Sequence, residues 1–183
     1  MTRALFLDRD GVLNIDHGYI GSAERFDVIP GVFDALAQAQ SLDFHLIVVT
    51  NQSGIARNYF TQADYFAVER HMLDIFAAKG ISFTGIYHCP HHPQGARSDL
   101  AIACACRKPA PGMILQACAD HRLDPARSVL VGDKPSDIQA GRNARVGHCF
   151  LIDASAADGV SRFASLAAII HSPIFQAIAD GPG

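Results

Sequence analysis

The chain has 183 residues, 49% of them hydrophobic, which suits one well-filled core and is too short for two ordinary domains. Its formal net charge of -3 and the lack of a basic stripe argue against a nucleic-acid partner. No apolar run approaches the roughly 20 residues of a membrane span, and the first apolar residues give way to charges without a secretory cleavage pattern, so a cytoplasmic protein with no membrane partner is expected.

In chain order, residues 4–7 form the first of several short apolar runs that read as buried strands. This run leads straight into Asp8-Arg9-Asp10-Gly11. Residues 31–40 carry Val32, Phe33, Leu36 and Ala39 at helical spacing. A second strand, 45–50, ends at Thr50-Asn51-Gln52-Ser53-Gly54, and a helix follows over 62–79 with Gly80 as its stop. Residues 83–88 read as a weaker strand. Residues 89–109 hold Pro, Gly, Cys and His with little apolar periodicity, and so long an irregular stretch in a compact domain is usually functional. A helix over 111–121 opens on Pro111. The strand 128–132 runs into Asp133 and Lys134, and a helix over 136–144, a strand over 148–152 and a helix over 165–171 complete the set. Strands alternating with helices predict an α/β fold: a Rossmann-like parallel sheet covered by helices on both faces, as a single domain over 1–183.

In such sheets ligands bind beyond the carboxyl ends of the strands. Three strand ends here bring carboxylates, a hydroxyl and amides to one edge. Gly11 lets the chain leave the first strand, so Asp10 can swing over from a turn while Asp8 points at the ligand. Asp8, Asp10 and Asp133 together form a costly like-charge cluster that a hard cation would relieve, and oxygen-only ligands favour Mg²⁺ beside a phosphate. The implied chemistry is phosphoryl transfer. Asp8 attacks phosphorus, Asp10 serves as acid and then base, and Mg²⁺, Thr50 and Lys108 neutralise the equatorial oxygens.

The chain has five cysteines, an odd count that argues against a disulfide framework. Cys89-Pro90-His91 and Cys104-Ala105-Cys106 present three thiols and one imidazole, a set suited to tetrahedral, structural Zn²⁺ in a loop over 89–106. His92 competes with His91 for the fourth position. Arg107 and Lys108 follow the last thiol directly, so ordering the loop would position both cations. Cys118 and Cys149 read as core residues.

Residues 6–14 (Phe-Leu-Asp-Arg-Asp-Gly-Val-Leu-Asn) resemble the first motif of the haloacid dehalogenase (HAD) superfamily. Residues 49–54 resemble its second motif, Lys108 the third, and Val131-Gly132-Asp133 with Asp137 the fourth. The resemblance implies that Asp8 is the nucleophile and Asp10 the acid/base, with Asp10 holding Mg²⁺ through its backbone carbonyl. Asp16-His17-Gly18-Tyr19, Cys89-Pro90-His91-His92-Pro93 and Cys104-Ala105-Cys106-Arg107-Lys108-Pro109 are similar to the zinc-containing, cap-less branch that holds heptose bisphosphate and histidinol phosphate phosphatases. That resemblance implies a small phosphorylated substrate met by Asp16, His17, Gly18, Tyr19, Asn51, Gln52, Ser53, Arg107 and Lys134, although His17 equally fits a surface turn. Residues 51–57 and 93–95 tilt it toward the heptose members. It would then imply removal of the C7 phosphate of a heptose 1,7-bisphosphate for surface glycan, by a monomer. Histidinol phosphate hydrolysis, a polynucleotide 3′-phosphatase and a catalytically retired zinc-stabilised binding module are the alternatives.

Overall fold

Six strands, β1 (Arg3–Leu7), β2 (Phe44–Asn51), β3 (Gly85–Cys89), β4 (Val129–Gly132), β5 (His148–Ile152) and β6 (Arg162–Phe163), build one sheet in the order β3-β2-β1-β4-β5-β6. Every neighbouring pair is parallel. The computed structural model describes residues 2–153 and 161–181, so residue 1, residues 154–160 and residues 182–183 of the expected 1–183 domain lie outside the description. The central strand sets the register: Leu5 stands opposite Leu46 of β2 on one side and Val129 of β4 on the other.

Alternate side chains on the strands serve opposite faces. Leu5, Leu7, Leu46, Val48, Val129 and Val131 pack under α1 (Val32–Ser41), α2 (Gln62–Ala77), α5 (Leu166–Ile170) and α6 (Pro173–Ala179). Ala4, Phe6, Ile47, Val49 and Leu130 pack under α3 (Gly112–His121) and α4 (Pro135–Asn143). Burial on both faces explains why these strands read as continuous apolar runs. Leu5, Phe6 and Leu7 are fully buried, and each such side chain contributes about 1.5–3 kcal/mol.

Local signals position the helices. Thr61 accepts from the Asp64 N–H, and the Asp64 carboxylate accepts from the Thr61 N–H, a reciprocal cap for α2. Ser165 and Ser172 cap α5 and α6. The expected helix over 62–79 ends at Ala77, because Lys79 and Gly80 bond three residues back, to Phe76 and Ala77, and so tighten the last turn. Pro111 stands just ahead of α3 rather than within it. The expected strand over 83–88 runs from Gly85 to Cys89 at the sheet edge. Strand β6 and helix α6 were not expected: the first is two residues long, and the second follows α5 after only a short break.

The connections at the carboxyl edge hold little regular structure. Between β1 and α1 lies a single 3₁₀ turn, Ala23–Arg25, and between β2 and β3 only α2. Residues 90–111 carry no helix or strand. No helix among the described residues is long and apolar enough to cross a membrane.

Candidate active site and metal centre

The Asp8 side chain follows β1 directly, and its backbone N–H continues the ladder to the Val131 carbonyl, 3.0 Å away. Gly11 sits at φ 85°, and a Cβ there would strike the Asp133 carboxylate, so only glycine lets the turn after β1 pass the end of β4. Carboxylate oxygens of Asp8, Asp133 and Asp137 lie within 4.8 Å of one another.

Lys108 joins this cluster. Its Nζ lies 3.0 Å from Asp8 Oδ1 and 2.8 Å from Asp137 Oδ1, and it donates to the Val49 carbonyl at 2.8 Å. Burial works against the ammonium, but Asp8 and Asp137 outweigh it and raise its pKa, so Lys108 stays charged. Burial raises the Asp8 carboxyl pKa; Lys108 opposes the shift and Asp137 adds to it. Asp133 is pushed up to about 6 by burial, with Lys134 opposing and Asp8, Asp137 and Asp16 adding. Its Oδ1 is buried without a hydrogen-bond partner among the described residues. A buried, unpartnered carboxylate oxygen facing two further carboxylates is the donor set a hard cation fits.

Asp10 turns its carboxylate elsewhere. Oδ1 accepts from Asn14 Nδ2 at 3.0 Å and from Arg9, and Oδ2 accepts from Gln52 Nε2 at 2.9 Å. Gln52 Nε2 also donates to Thr50 Oγ1, itself buried, at 3.0 Å. Asp137, which the sequence reading matched to a motif without giving it a role, stands in the cluster where Asp10's side chain was expected.

A cavity of about 560 Å³ opens above these groups. Asp10, Asp16, Gly18, Tyr19, Asn51, Gln52, Ser53, Arg107, Lys108 and Lys134 line it with Gly54, Pro109 and Ser136, the last three not anticipated, while Asp8, Thr50 and Asp133 are not part of the lining. Lys134 Nζ is held 3.2 Å from Asp16 and 3.6 Å from Asp133. His17 is absent from the lining; its Nε2 lies 2.8 Å from Asp27 on the surface. Arg25, also unanticipated, donates to the carbonyls of His17, Gly18 and Tyr19 and so fixes this loop.

Beside the cavity, Cys89, His91, Cys104 and Cys106 converge. Cys106 Sγ lies 3.0 Å from Cys89 Sγ, 3.2 Å from Cys104 Sγ and 3.4 Å from His91 Nδ1. Three thiols and an imidazole nitrogen so closely grouped fit one tetrahedral Zn²⁺. His92 points away, with Nε2 2.9 Å from Arg57. Three hydrogen bonds tie this loop to the end of β2. Gln52 N–H donates to the Cys89 carbonyl, and Asn51 and Lys108 exchange side-chain-to-backbone bonds of 3.0 and 3.1 Å.

A parallel sheet with an aspartate beyond its central strand, a lysine bridging two carboxylates and a further aspartate beyond the next strand defines the HAD-like phosphohydrolases. The family model for HAD-hydrolase-like proteins matches residues 105–151. The D-glycero-beta-D-manno-heptose-1,7-bisphosphate 7-phosphatase of Pasteurella multocida is 44% identical over 83% of this chain and 82% of its own. The Escherichia coli K12 protein of the same name is 46% identical over 81% of this chain and 78% of its own. Among solved structures, the D,D-heptose 1,7-bisphosphate phosphatase of B. bronchiseptica, complexed with magnesium and phosphate, superposes with a TM-score of 0.79 at 30% identity, covering 96% of this chain and 99% of its own. The chain belongs to the heptose-1,7-bisphosphate 7-phosphatase family of HAD-like hydrolases.

Proposed function

We propose that the protein hydrolyses the C7 phosphate of D-glycero-beta-D-manno-heptose 1,7-bisphosphate and leaves the anomeric phosphate in place. One observation carries this reading: the cavity holds cations at two levels. Of the three that line it, Lys108 is buried against Asp8, whereas Arg107 is half-buried and Lys134 is exposed. Two cation sets suit a substrate with two phosphates. Histidinol phosphate would instead bring its amine toward Arg107 and Lys134, a like-charge encounter.

In the reaction, an Asp8 carboxylate oxygen bonds to phosphorus as the bond to the sugar oxygen breaks. Asp10 gives that oxygen its proton. Asp10 then takes a proton from the water that attacks the aspartyl-phosphate, which releases inorganic phosphate and restores Asp8. Lys108 and the Thr50 hydroxyl stabilise the negative oxygens in transit. Asp137 holds Lys108 in place at 2.8 Å. Asp8 and Asp133, with the Asp10 backbone carbonyl, would hold Mg²⁺, which supplies further charge neutralisation when bound. Cys89, His91, Cys104 and Cys106 would hold Zn²⁺ as a structural brace. The same reading makes the chain a single-domain cytoplasmic monomer that acts on a small phosphorylated sugar and needs neither nucleic acid nor membrane.

Phosphate release is to be compared on heptose 1,7-bisphosphate and on histidinol phosphate, each with and without Mg²⁺. The bisphosphate should be preferred by kcat/KM, yield one phosphate per sugar and require Mg²⁺. Faster hydrolysis of histidinol phosphate would overturn the substrate assignment.

A further inference from the structure

Arg9, at 1% exposure, heads the large side chains that are fully buried among the described residues. Its guanidinium is committed to one partner. Nε donates to Asp10 Oδ1 at 3.2 Å, and Nη2 donates to Oδ1 and Oδ2, both at 3.0 Å. The third nitrogen, Nη1, is buried without a hydrogen-bond partner among the described residues. The far side of the group faces Tyr65, whose ring centroid lies 5.8 Å from Cζ. The Tyr65 hydroxyl is turned away to Glu69.

Stability is a poor explanation for this arrangement. A buried ion pair seldom stabilises a fold more than apolar packing would, and an unsatisfied nitrogen makes the balance worse. What a guanidinium fork supplies that an ammonium does not is a fixed direction for a carboxylate. The other two donors on Asp10 come from different segments: Asn14 from the turn after β1 and Gln52 from the end of β2. The carboxylate is thus gripped from three positions, with Arg9 alone touching both oxygens through one group.

We propose that Arg9 is a positioning residue for the reaction: its buried guanidinium, braced on Tyr65, aims the Asp10 carboxyl at the leaving oxygen. This rests on the reading of Asp10 as the acid. A misplacement on the order of 1 Å costs about 10²-fold in rate, and the cost should fall only where the leaving group needs a proton.

The test uses kcat/KM, which reports the steps through departure of the leaving group. Two substrates are compared: heptose 1,7-bisphosphate, whose alkoxide must be protonated, and 4-nitrophenyl phosphate, whose phenolate leaves unaided. Arg9→Lys keeps the charge and loses the fork. Its kcat/KM on the bisphosphate should fall by about 10²-fold with KM little changed. On 4-nitrophenyl phosphate it should fall at least about tenfold less. Gln52→Met removes one donor from Asp10 Oδ2 and the contact to Thr50 Oγ1; whatever loss Thr50 brings to both substrates alike, the bisphosphate should lose more, at smaller size than in Arg9→Lys, and this keeps the idea testable if Arg9→Lys folds poorly. Equal losses on both substrates in both variants would overturn the positioning role. Asp10→Asn separates the two layers. If that variant spares the bisphosphate, the acid assignment itself fails; if it loses the bisphosphate selectively while Arg9→Lys and Gln52→Met do not, only the role given to Arg9 fails.

Discussion

In the proposed mechanism Asp8 and Lys108 carry the chemistry as a pair, and their substitutions should separate reaction from folding. Asp8→Asn keeps the volume of the side chain and an acceptor for Lys108, so the variant should melt within a few degrees of wild type. Steady phosphate release should drop by more than about 10⁴-fold, the scale on which loss of a covalent nucleophile is felt. Lys108→Met differs. It leaves Asp8 and Asp137 facing each other where Lys108 now bridges them at 3.0 and 2.8 Å. Removing one member of a buried ionic group costs about 3–5 kcal/mol, which urea unfolding in metal-free buffer would read. Activity should fall about 10²–10³-fold as well. At this scale the sequence was legible where a residue's backbone position decides its use. Asp8 and Asp133 lie just past strands, and the strands were visible. It was not legible where a side chain chooses between partners. Asp10 was grouped with the metal carboxylates, yet its side chain goes to Arg9, Asn14 and Gln52, and the place beside Asp8 and Asp133 is taken by Asp137. Rotamer choice of that kind follows from the packing of Arg9 on Tyr65, and no spacing rule reports it.

Among the elements, the segments that lie over the carboxyl edge depend on close contacts between loops. Phe60 is wedged between Gly21 of the first loop and Gly54 at the end of the second, and a Cβ on Gly54 would strike its ring. Gly54→Ala should therefore destabilise by about 1–3 kcal/mol through overpacking. A Phe60→Leu partner should recover part of that loss, and a double-mutant cycle on thermal melts would detect the coupling. The zinc loop is the second such device. Cys104→Ser removes one of four ligands, so zinc content should fall below one per chain. The melting temperature should drop with it, by about 2–4 °C for each kcal/mol lost in a chain of this size. Zinc retained at one per chain in that variant would show that the ligand set is wrong. Strands β1, β2 and β4 were legible because burial on both faces leaves uninterrupted apolar runs, and β5, of which only Phe150 is buried, from its own short apolar run. β6 was not, because two residues carry no periodicity, and α6 was not, although Ser172-Pro173 is a helix-start signal, because α5 and α6 together span too few turns to show two faces.

For the molecule as a whole, the sheet order matters more than any one strand. The reactive groups come from β1, β2 and β4, which lie side by side in space and far apart along the chain. Lys108 arrives by yet another route, through the metal loop and the Asn51 exchange. The α/β class was legible from the alternation of elements, whereas the strand order needed the three-dimensional register. That order has a kinetic corollary. Parallel neighbours can join only after the intervening helices have closed long loops, which makes their pairing a slow part of folding. Phosphatase activity should accordingly return in a single late phase when the unfolded chain is diluted from denaturant with both metals present, lagging the recovery of helical circular dichroism. Early catalytic recovery, in step with the first helices, would mean that the nucleophile, the lysine and the second-strand hydroxyl can meet before the sheet does.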